Sequence, residues 1–308
     1  MKYVIGIDGG GTKSIITIED MSGNVLACET GGATNIKSES KDSVSTALKS
    51  LIKMSISNAN LAIDDCKAIC LGTAGAGRVK DREILRNILL STGIKGNIII
   101  TNDAEICLAA GTGKLEGIAV IAGTGSIAYG IDKCGRRFRA GGWGHILGDE
   151  GSGYYIGLEA IKAALRSYDG RDLYTELLPL LMEKVGIEKP EDFIKFVYRD
   201  NFKKSEIASL AKVVYYAYKK GDKKAKEILE NAADELFKLA NAVIRRLDLE
   251  NESTTLVTNG SVLLKNIYIY SKFSDMVKEV YPNINIIKLK GDASKGAAAI
   301  ALNSLKRK

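Results

Sequence analysis

Two short apolar runs rich in β-branched residues lie near the N-terminus, at residues 2–7 and 14–19. They are joined by the turn Asp8-Gly9-Gly10-Gly11-Thr12-Lys13. Short runs of this kind bounded by glycine turns are typical of β-hairpins. The pattern therefore predicts a hairpin with a glycine-rich connection.

The same pattern returns near the middle of the chain. An apolar run at residues 117–122 leads into Gly123-Thr124-Gly125-Ser126, and a second run follows at residues 127–131. Because both turns combine glycine with threonine, we interpret the two hairpins as a weak internal repeat. Each copy opens one half of the protein.

Strands and helices alternate after each hairpin. Ser152 is a candidate N-cap for the helical stretch that follows it. Strands are predicted at residues 67–72, 97–101, 254–258 and 284–289, and helices at 104–110, within 154–247, at 262–280 and at 292–305. This alternation predicts an α/β fold with a mixed sheet in each half.

The length of 308 residues allows two domains. We place the border near residues 113–117, which predicts an N-terminal domain at 1–115 and a C-terminal domain with a helical insertion at 116–291. The final helix, at about 292–308, is expected to pack back on the N-terminal domain.

Composition narrows the class of protein. Hydrophobic residues make up 45% and charged residues 26% of the chain, as in soluble globular proteins. No apolar stretch approaches the roughly 18 residues of a membrane span, and no signal peptide is recognisable, so we expect a cytoplasmic protein without a membrane partner. The net charge of +7 lies on helix-like stretches without a DNA-binding motif, so nucleic acid is not an expected partner. Five cysteines in no regular spacing favour reduced thiols.

The first turn does not match the common phosphate-binding loops. Walker A and dinucleotide-binding loops both lead into a helix, whereas a strand follows this turn. One interpretation is a tight turn and nothing more. The other is a hairpin whose backbone N–H groups at Gly10 and Gly11 approach phosphate oxygens, with the Thr12 hydroxyl and the Lys13 charge beside them and Asp8 placed to reach Mg²⁺ through water.

The second turn supports the phosphate interpretation. Two hairpins facing each other across a cleft would clamp a nucleoside triphosphate, with Gly123 and Thr124 on the second side. Gly260 and Ser261 form a later turn of small residues, and Gly291-Asp292-Ala293 forms another before the final helix. Either turn is small enough for an adenosine to pack on its backbone.

Asp103 stands between a strand and a helix. It is either the N-cap of that helix or a catalytic carboxylate at the carboxyl end of the strand. In phosphoryl transfer to an alcohol, one carboxylate orients the hydroxyl and accepts its proton. Asp103 is the candidate base.

The segment at residues 141–153 is rich in glycine and holds the only Trp and the only His of the chain. It is either a structural loop that packs Trp143 under the hairpins or a sugar-binding loop. In the second case the Asp149 carboxylate would accept hydrogen bonds from sugar hydroxyls. No serine or cysteine nucleophile lies at a suggestive spacing from His145, so we interpret this histidine as structural.

These motifs together resemble the N-acetylglucosamine kinase branch of the BadF/BadG/BcrA/BcrD ATPase family, within the superfamily of actin, heat-shock chaperones and hexokinase. The resemblance covers nearly the whole chain. It rests on Gly6-Ile7-Asp8-Gly9-Gly10-Gly11-Thr12-Lys13, Ala33-Thr34-Asn35, Thr101-Asn102-Asp103-Ala104, Gly123-Thr124-Gly125-Ser126, residues 142–152 and Asn259-Gly260-Ser261-Val262.

The resemblance implies two duplicated ribonuclease-H-like domains with ATP in the cleft between them, and a homodimer as in many related kinases. It implies transfer of the γ-phosphate to the 6-hydroxyl of an amino sugar, with Asp103 as the base, Mg²⁺ near Asp8, and Thr12 and Thr124 on phosphates. The residues that it places around the sugar are Thr34, Asn35, Ser126, Gly142, Trp143 and Asp149.

Several alternatives remain open. N-acetylglucosamine is the first choice of sugar, and glucosamine, N-acetylmuramic acid and glucose compete with it through loops at residues 34–37 and 75–78. Arg78 would meet the lactyl carboxylate of N-acetylmuramic acid. Other classes are a zinc-containing glucokinase, a dehydratase activator with an iron–sulfur cluster held by cysteines such as Cys107, and a non-catalytic ATP or sugar sensor.

Overall fold

The computed structural model describes residues 1–36 and 39–306, which form two compact units. Unit 1 comprises Met1–Gly117 and Leu289–Lys308, and unit 2 comprises Ile118–Lys288. Two predictions extend past the described residues: the sugar-contacting loop at 34–37 includes Lys37, and the final helix was extended to residue 308. Lys37, Ser38, Arg307 and Lys308 lie outside the described residues.

The first part of the chain forms a five-stranded mixed sheet with three helices. Its elements are β1 (Tyr3–Gly9), β2 (Ser14–Asp20), β3 (Val25–Gly31), α1 (Lys41–Asn58), β4 (Cys66–Thr73), α2 (Val79–Leu90), β5 (Asn97–Thr101) and α3 (Asp103–Thr112). The strand order is β3-β2-β1-β4-β5. β1, β4 and β5 are parallel, so their carboxyl ends meet at one edge of the sheet, which we call the carboxyl edge.

The second part of the chain repeats this sheet and adds a helical insertion. Its elements are β6 (Gly117–Ala122), β7 (Ser126–Ile131), β8 (Arg137–Gly141), α4 (Gly153–Tyr168), α5 (Leu177–Val185), α6 (Asp192–Tyr198), α7 (Lys204–Ser209), α8 (Ala211–Lys219), α9 (Lys223–Arg246), β9 (Thr254–Asn259), α10 (Ser261–Lys265), α11 (Ile267–Val280) and β10 (Ile284–Lys288). The strand order is β10-β9-β6-β7-β8.

The two sheets have the same topology. In each, two strands follow the first strand on one side, and two parallel strands extend the sheet on its other side. The predicted α/β fold with two mixed sheets and an internal repeat is confirmed. The repeat is visible in the sequence only at the two glycine turns, because the intervening helices differ in number and length.

The last helix, α12 (Ser294–Ser304), packs on unit 1. A Cβ atom at Gly6 of β1 would lie 2.1 Å from the Ala298 backbone nitrogen and 2.2 Å from the Ser294 carbonyl oxygen. Only glycine allows this approach of helix to strand. Thr17 of β2 adds a hydroxyl contact of 2.8 Å with Ser294.

Two strands of the structure were not predicted from the sequence. β3 and β8 are edge strands in which most residues are exposed or half-buried; the apolar run of β3 is short, covering only Val25–Cys28, and β8 begins with alternating charged and apolar residues. Gly141 therefore ends β8 instead of opening a loop. The predicted helix at 262–280 is divided at Asn266, whose side chain accepts a hydrogen bond from the Ile269 N–H and starts α11.

No helix in the described part of the chain combines the length and the apolar character that crossing a membrane requires.

Candidate active site

The first glycine turn is shaped by a close backbone contact. The Gly10 N–H donates to the Lys13 carbonyl at 3.1 Å, and a Cβ atom at Gly10 would lie 2.5 Å from that oxygen. Gly11, Thr12 and Lys13 are exposed, and β2 begins at the next residue. The turn therefore presents backbone N–H groups, a hydroxyl and a positive charge to solvent, without the helix of a Walker A loop.

Thr34 holds this turn from beneath. Its N–H donates to the Gly10 carbonyl at 3.0 Å, and its hydroxyl lies 2.6 Å from the Ser14 hydroxyl. The Thr34 side chain is fully buried. These contacts give Thr34 a role in supporting the turn, and its hydroxyl is enclosed by protein.

Asp8 lies at the end of β1 in a negatively charged environment. Burial and the nearby carboxylates of Asp103 and Asp292 raise the pKa of Asp8 to about 7, and Lys13 partly opposes them. Packing carboxylates together is costly without a cation. Asp8 thus interacts electrostatically with Asp103 and Asp292 at the carboxyl edge of unit 1, and we refer to these three residues as the carboxylate cluster.

Asp103 is the first residue of α3, and the N-cap is Asn102, whose side chain accepts the Glu105 N–H at 2.7 Å. The interpretation of Asp103 as the N-cap is therefore wrong. The Asp103 carboxylate accepts the Ala104 N–H at 3.1 Å, and burial raises its pKa. A carboxylate with a raised pKa at the end of a strand is suited to accept a proton.

Sequence reasoning gave Asp292 no chemical role. It lies in the turn before α12, more than 180 residues after Asp103, and it reaches the carboxylate cluster because α12 packs on β1. One signal was present: Asp292 follows a predicted strand and lies at the start of a predicted helix, as Asp103 does in the first half.

Asn35 lies in the loop after β3. A Cβ atom at Gly75 would lie 2.9 Å from the Asn35 side-chain oxygen, so the loops that follow β3 and β4 touch each other. Both loops border the carboxyl edge that carries Asp8 and Asp103. The structure thus brings Asn35 and the carboxylate cluster to one side of unit 1.

The second glycine turn, in unit 2, is fastened to the start of α4. The Gly123 N–H donates to the Gly125 carbonyl at 2.9 Å, and the Gly153 N–H donates to the Gly123 carbonyl at 2.8 Å. Gly123 and Thr124 are half-buried, and the space next to the Gly123 Cα atom is open. A ligand atom can approach this backbone closely.

Gly260 and Ser261 lie beside the second turn. A Cβ atom at Gly260 would lie 2.3 Å from the Ala122 carbonyl, and Gly260 has a φ of +89°, so glycine is needed on both counts. Ser261 is exposed at the start of α10. The end of β9 is thereby held against the end of β6, next to Gly123.

Asp149 and Ser126 brace the second turn. The Ser126 N–H donates to Asp149 Oδ1 at 3.2 Å, and the Ser126 hydroxyl donates to the Glu150 carbonyl at 2.6 Å. Both side chains are buried. Asp149 has a φ of +61°, a conformation that Asp tolerates better than most residues.

Trp143 is exposed, at 63% of its maximal accessible surface. The Arg139 guanidinium lies 4.5 Å from the centre of its ring, and the preceding Gly142 donates its N–H to the Ser126 carbonyl at 3.0 Å. The expectation that a structural loop packs Trp143 beneath a hairpin is wrong for the hairpin of its own unit. His145 packs edge-on against Tyr154 with ring centres 5.0 Å apart, as its structural interpretation expects.

The buried cysteines offer poor metal ligands. Cys66, Cys70 and Cys107 are buried, and burial raises the pKa of the Cys66 thiol to about 12 and that of Cys70 as well. Iron–sulfur clusters and structural zinc bind thiolates. Within residues 1–36 and 39–306, no three His, Cys, Asp or Glu side chains are grouped closely enough to hold a metal ion by themselves.

Comparison with known proteins places the chain among sugar kinases. The chain is 46% identical over 301 residues to the N-acetylmuramic acid/N-acetylglucosamine kinase of Clostridium acetobutylicum, and 37% identical over 314 residues to the N-acetyl-D-glucosamine kinase of Dictyostelium discoideum. Both alignments cover 98% of each protein. A solved structure of a proposed N-acetylglucosamine kinase from Chromobacterium violaceum matches with a TM-score of 0.80 and 25% identity, over 98% of this chain and 99% of that one.

The family model agrees with these relatives and with the motifs. The model of the BadF/BadG/BcrA/BcrD ATPase family matches residues 5–301, a span that includes both glycine turns, Asp103 and the turn at Gly260. The resemblance inferred from the motifs is confirmed. The chain belongs to the BadF/BadG/BcrA/BcrD ATPase family, in its N-acetylglucosamine kinase branch.

Proposed function

We propose that this protein is an ATP-dependent amino sugar kinase that transfers the γ-phosphate to the 6-hydroxyl of N-acetylglucosamine or N-acetylmuramic acid. The observation that carries the proposal is the Asp103 carboxylate, which lies at the carboxyl edge close to Asp8 and is not used as a helix cap. The named activities of the two relatives support the choice of sugar.

In the transfer step, Asp103 accepts the proton of the sugar hydroxyl as its oxygen attacks the γ-phosphorus. The bond from that phosphorus to the bridging oxygen breaks, and ADP leaves. Because Asp103 is already hydrogen-bonded to the Ala104 N–H, its second oxygen is the one that orients the hydroxyl. Little covalent chemistry is required of the protein, so positioning and charge stabilisation supply the catalysis.

The glycine turns bind the phosphates in this proposal. The contacts come from the backbone of Gly10 and Gly11, the Thr12 hydroxyl and the Lys13 ammonium in unit 1, and from Gly123 and Thr124 in unit 2. Gly260 and Ser261 contact the nucleoside portion. Family membership implies the use of ATP.

The carboxylate cluster fits Mg²⁺. This ion prefers oxygen ligands and keeps several waters, so one or two carboxylates together with nucleotide phosphates are enough to hold it. We propose that Asp8, assisted by Asp292, holds the ion through water. When bound, Mg²⁺ neutralises negative charge on the phosphate oxygens.

For the sugar, we propose that Asn35, Gly142 and Trp143 make direct contacts, since Asn35 lies at the carboxyl edge and Trp143 is exposed. Thr34, Ser126 and Asp149 act mainly by holding the two turns, because their side chains are buried and bonded to protein. This divides the six residues first expected around the sugar into a contacting and a supporting group.

The test is sugar-dependent ADP release with Mg-ATP on N-acetylglucosamine, N-acetylmuramic acid, glucosamine and glucose. We expect turnover on an N-acetylated amino sugar and a loss in Asp103→Asn of about 10²- to 10⁴-fold in kcat, with ATP binding retained. The matched control is Asp64→Asn, which removes an exposed carboxylate paired with Lys95. Wild-type protein that binds ATP but turns over none of these sugars would refute the proposal.

A further inference from the structure

The loop between β4 and α2 is held in a defined position at the carboxyl edge. The Ala76 N–H donates to the Thr73 carbonyl at 3.1 Å, and Arg82 Nε donates to the Ala76 carbonyl at 2.6 Å. Gly75 packs directly against Asn35 and Ile36. The loop is therefore fastened at its base, to α2 and to the neighbouring loop.

Two cations lie where this loop meets α2: Arg78 is the last residue of the loop, and Lys80 is in the first turn of the helix. Arg78 and Lys80 are exposed, and neither forms an ion pair with another described residue. Arg82 differs, because its guanidinium is engaged with the Ala76 carbonyl. Arg78 precedes α2 at its N-cap position but makes no side-chain capping bond, so stability of the helix does not account for it.

The register of the sheet places the start of the loop that leads to Arg78 next to the segment that leads to Asp103. Gly72 of β4 pairs with Thr101 of β5, and these strands lie about 4.8 Å apart. Asp103 comes two residues after Thr101, and the loop bearing Arg78 begins just after Thr73. A sugar whose 6-hydroxyl meets Asp103 therefore lies beside this loop.

Charge distinguishes the two N-acetylated sugars at this edge. N-acetylglucosamine is neutral, whereas N-acetylmuramic acid carries a carboxylate on the lactyl ether at carbon 3. The carboxylate cluster and the ATP phosphates repel that carboxylate, so binding N-acetylmuramic acid requires a positively charged side chain near the sugar. Lys13 is assigned to the ATP phosphates in the proposed function, and the Arg82 guanidinium donates a hydrogen bond to the Ala76 carbonyl.

We propose that Arg78 binds the lactyl carboxylate of N-acetylmuramic acid and so extends the range of substrates to acidic amino sugars. This inference rests on the proposed kinase function. A guanidinium presents two parallel N–H donors that match a carboxylate, which the single ammonium of Lys80 does not.

The test compares kcat/KM for the two sugars in wild type, Arg78→Met and the matched variant Lys80→Met. The quantity measured is the selectivity, kcat/KM for N-acetylmuramic acid divided by that for N-acetylglucosamine. We expect selectivity to fall roughly 10- to 100-fold in Arg78→Met, as for loss of one charged hydrogen-bonded pair, and to stay within about twofold in Lys80→Met. Arg78→Lys should recover part of the loss.

A second probe avoids any question of folding. Replacing the lactyl carboxylate by its neutral amide should weaken the substrate for wild type and make little difference to Arg78→Met. Equal selectivity in wild type and Arg78→Met, or an equal fall in Lys80→Met, would overturn the role of Arg78. Turnover of N-acetylglucosamine alone by wild type would overturn it too, while leaving the kinase proposal intact. Turnover of neither sugar would instead reject the kinase proposal.

Discussion

Asp8 and Asp103 interact electrostatically at the carboxyl edge: burial, and then the charges of Asp103 and Asp292, raise the pKa of the Asp8 carboxyl group to about 7. The proposed base and the proposed metal-binding residue are thus electrostatically coupled. A bound cation relieves the repulsion between them, and a proton on Asp8 relieves it in the absence of a cation.

Mg²⁺ dependence should therefore change with pH. Raising the pH from about 6 to about 8 removes the proton that competes with the cation on Asp8. We expect the Mg²⁺ concentration for half-maximal activity to fall over this range in wild type. Titrations of Mg²⁺ at fixed ATP would measure it, and a constant half-maximal concentration would contradict the role of Asp8.

Without Mg²⁺ or ATP, the free energy of unfolding should receive a smaller contribution from Asp8 as the pH rises. The folded-state pKa of Asp8 is raised from 3.8 to about 7, so the folded protein retains a proton that the unfolded chain releases. The stabilisation that this proton gives is fully present below the unfolded-state pKa of 3.8, and it is lost as the pH rises through the folded-state pKa of about 7. In thermal unfolding without Mg²⁺ or ATP, the Tm of Asp8→Asn minus that of wild type should increase across this range. A difference that does not vary with pH would count against the raised pKa.

Thr34→Val tests whether Thr34 supports the first turn. The substitution removes the hydroxyl that pairs with Ser14 and leaves a buried polar group, at a cost of about 1–3 kcal/mol. We expect a lower Tm and a raised KM for ATP, with little change in KM for the sugar. Thr30→Val on exposed β3 is the matched control. A rise in the sugar KM alone, at unchanged Tm, would assign Thr34 to the substrate instead.

Asp149 can be tested with two substitutions. Asp149→Asn keeps an oxygen for the Ser126 N–H and tolerates the positive φ, whereas Asp149→Ala loses both features. We expect the alanine variant to be less stable than the asparagine variant by about 1–3 kcal/mol, measured by chemical denaturation. If both variants kept wild-type stability and lost sugar binding alike, direct recognition of the sugar would be the better account.

Gly6→Ala tests the packing of α12 on β1. The added methyl group would meet backbone atoms of Ser294 and Ala298, which cannot move as a flexible side chain can. We expect destabilisation of about 2 kcal/mol or more, together with loss of activity because Asp292 is carried by this packing. Gly32→Ala is the control, since its Cβ would make an ordinary contact of 3.7 Å with Ala47. Equal melting temperatures for the two variants would contradict the close approach.

The elements that could be predicted are those whose own residues specify them. β1 and β6 are apolar β-branched runs that end at glycine turns, and α9 follows a clear amphipathic period after its N-cap Asp222. β3 and β8 could not be predicted from their own residues, because an edge strand pairs with one neighbouring strand only and can form without a long apolar run.

The sequence by itself determined the two glycine hairpins, the α/β class and the resemblance to a sugar kinase family. Each of these depends on residues that are close together along the chain. Only the tertiary structure decided that Thr34 is enclosed beneath the first turn and that Asp292 acts on Asp8 together with Asp103. The physical reason is that these roles depend on burial and on charges brought together from distant segments, and neither is encoded in local spacing.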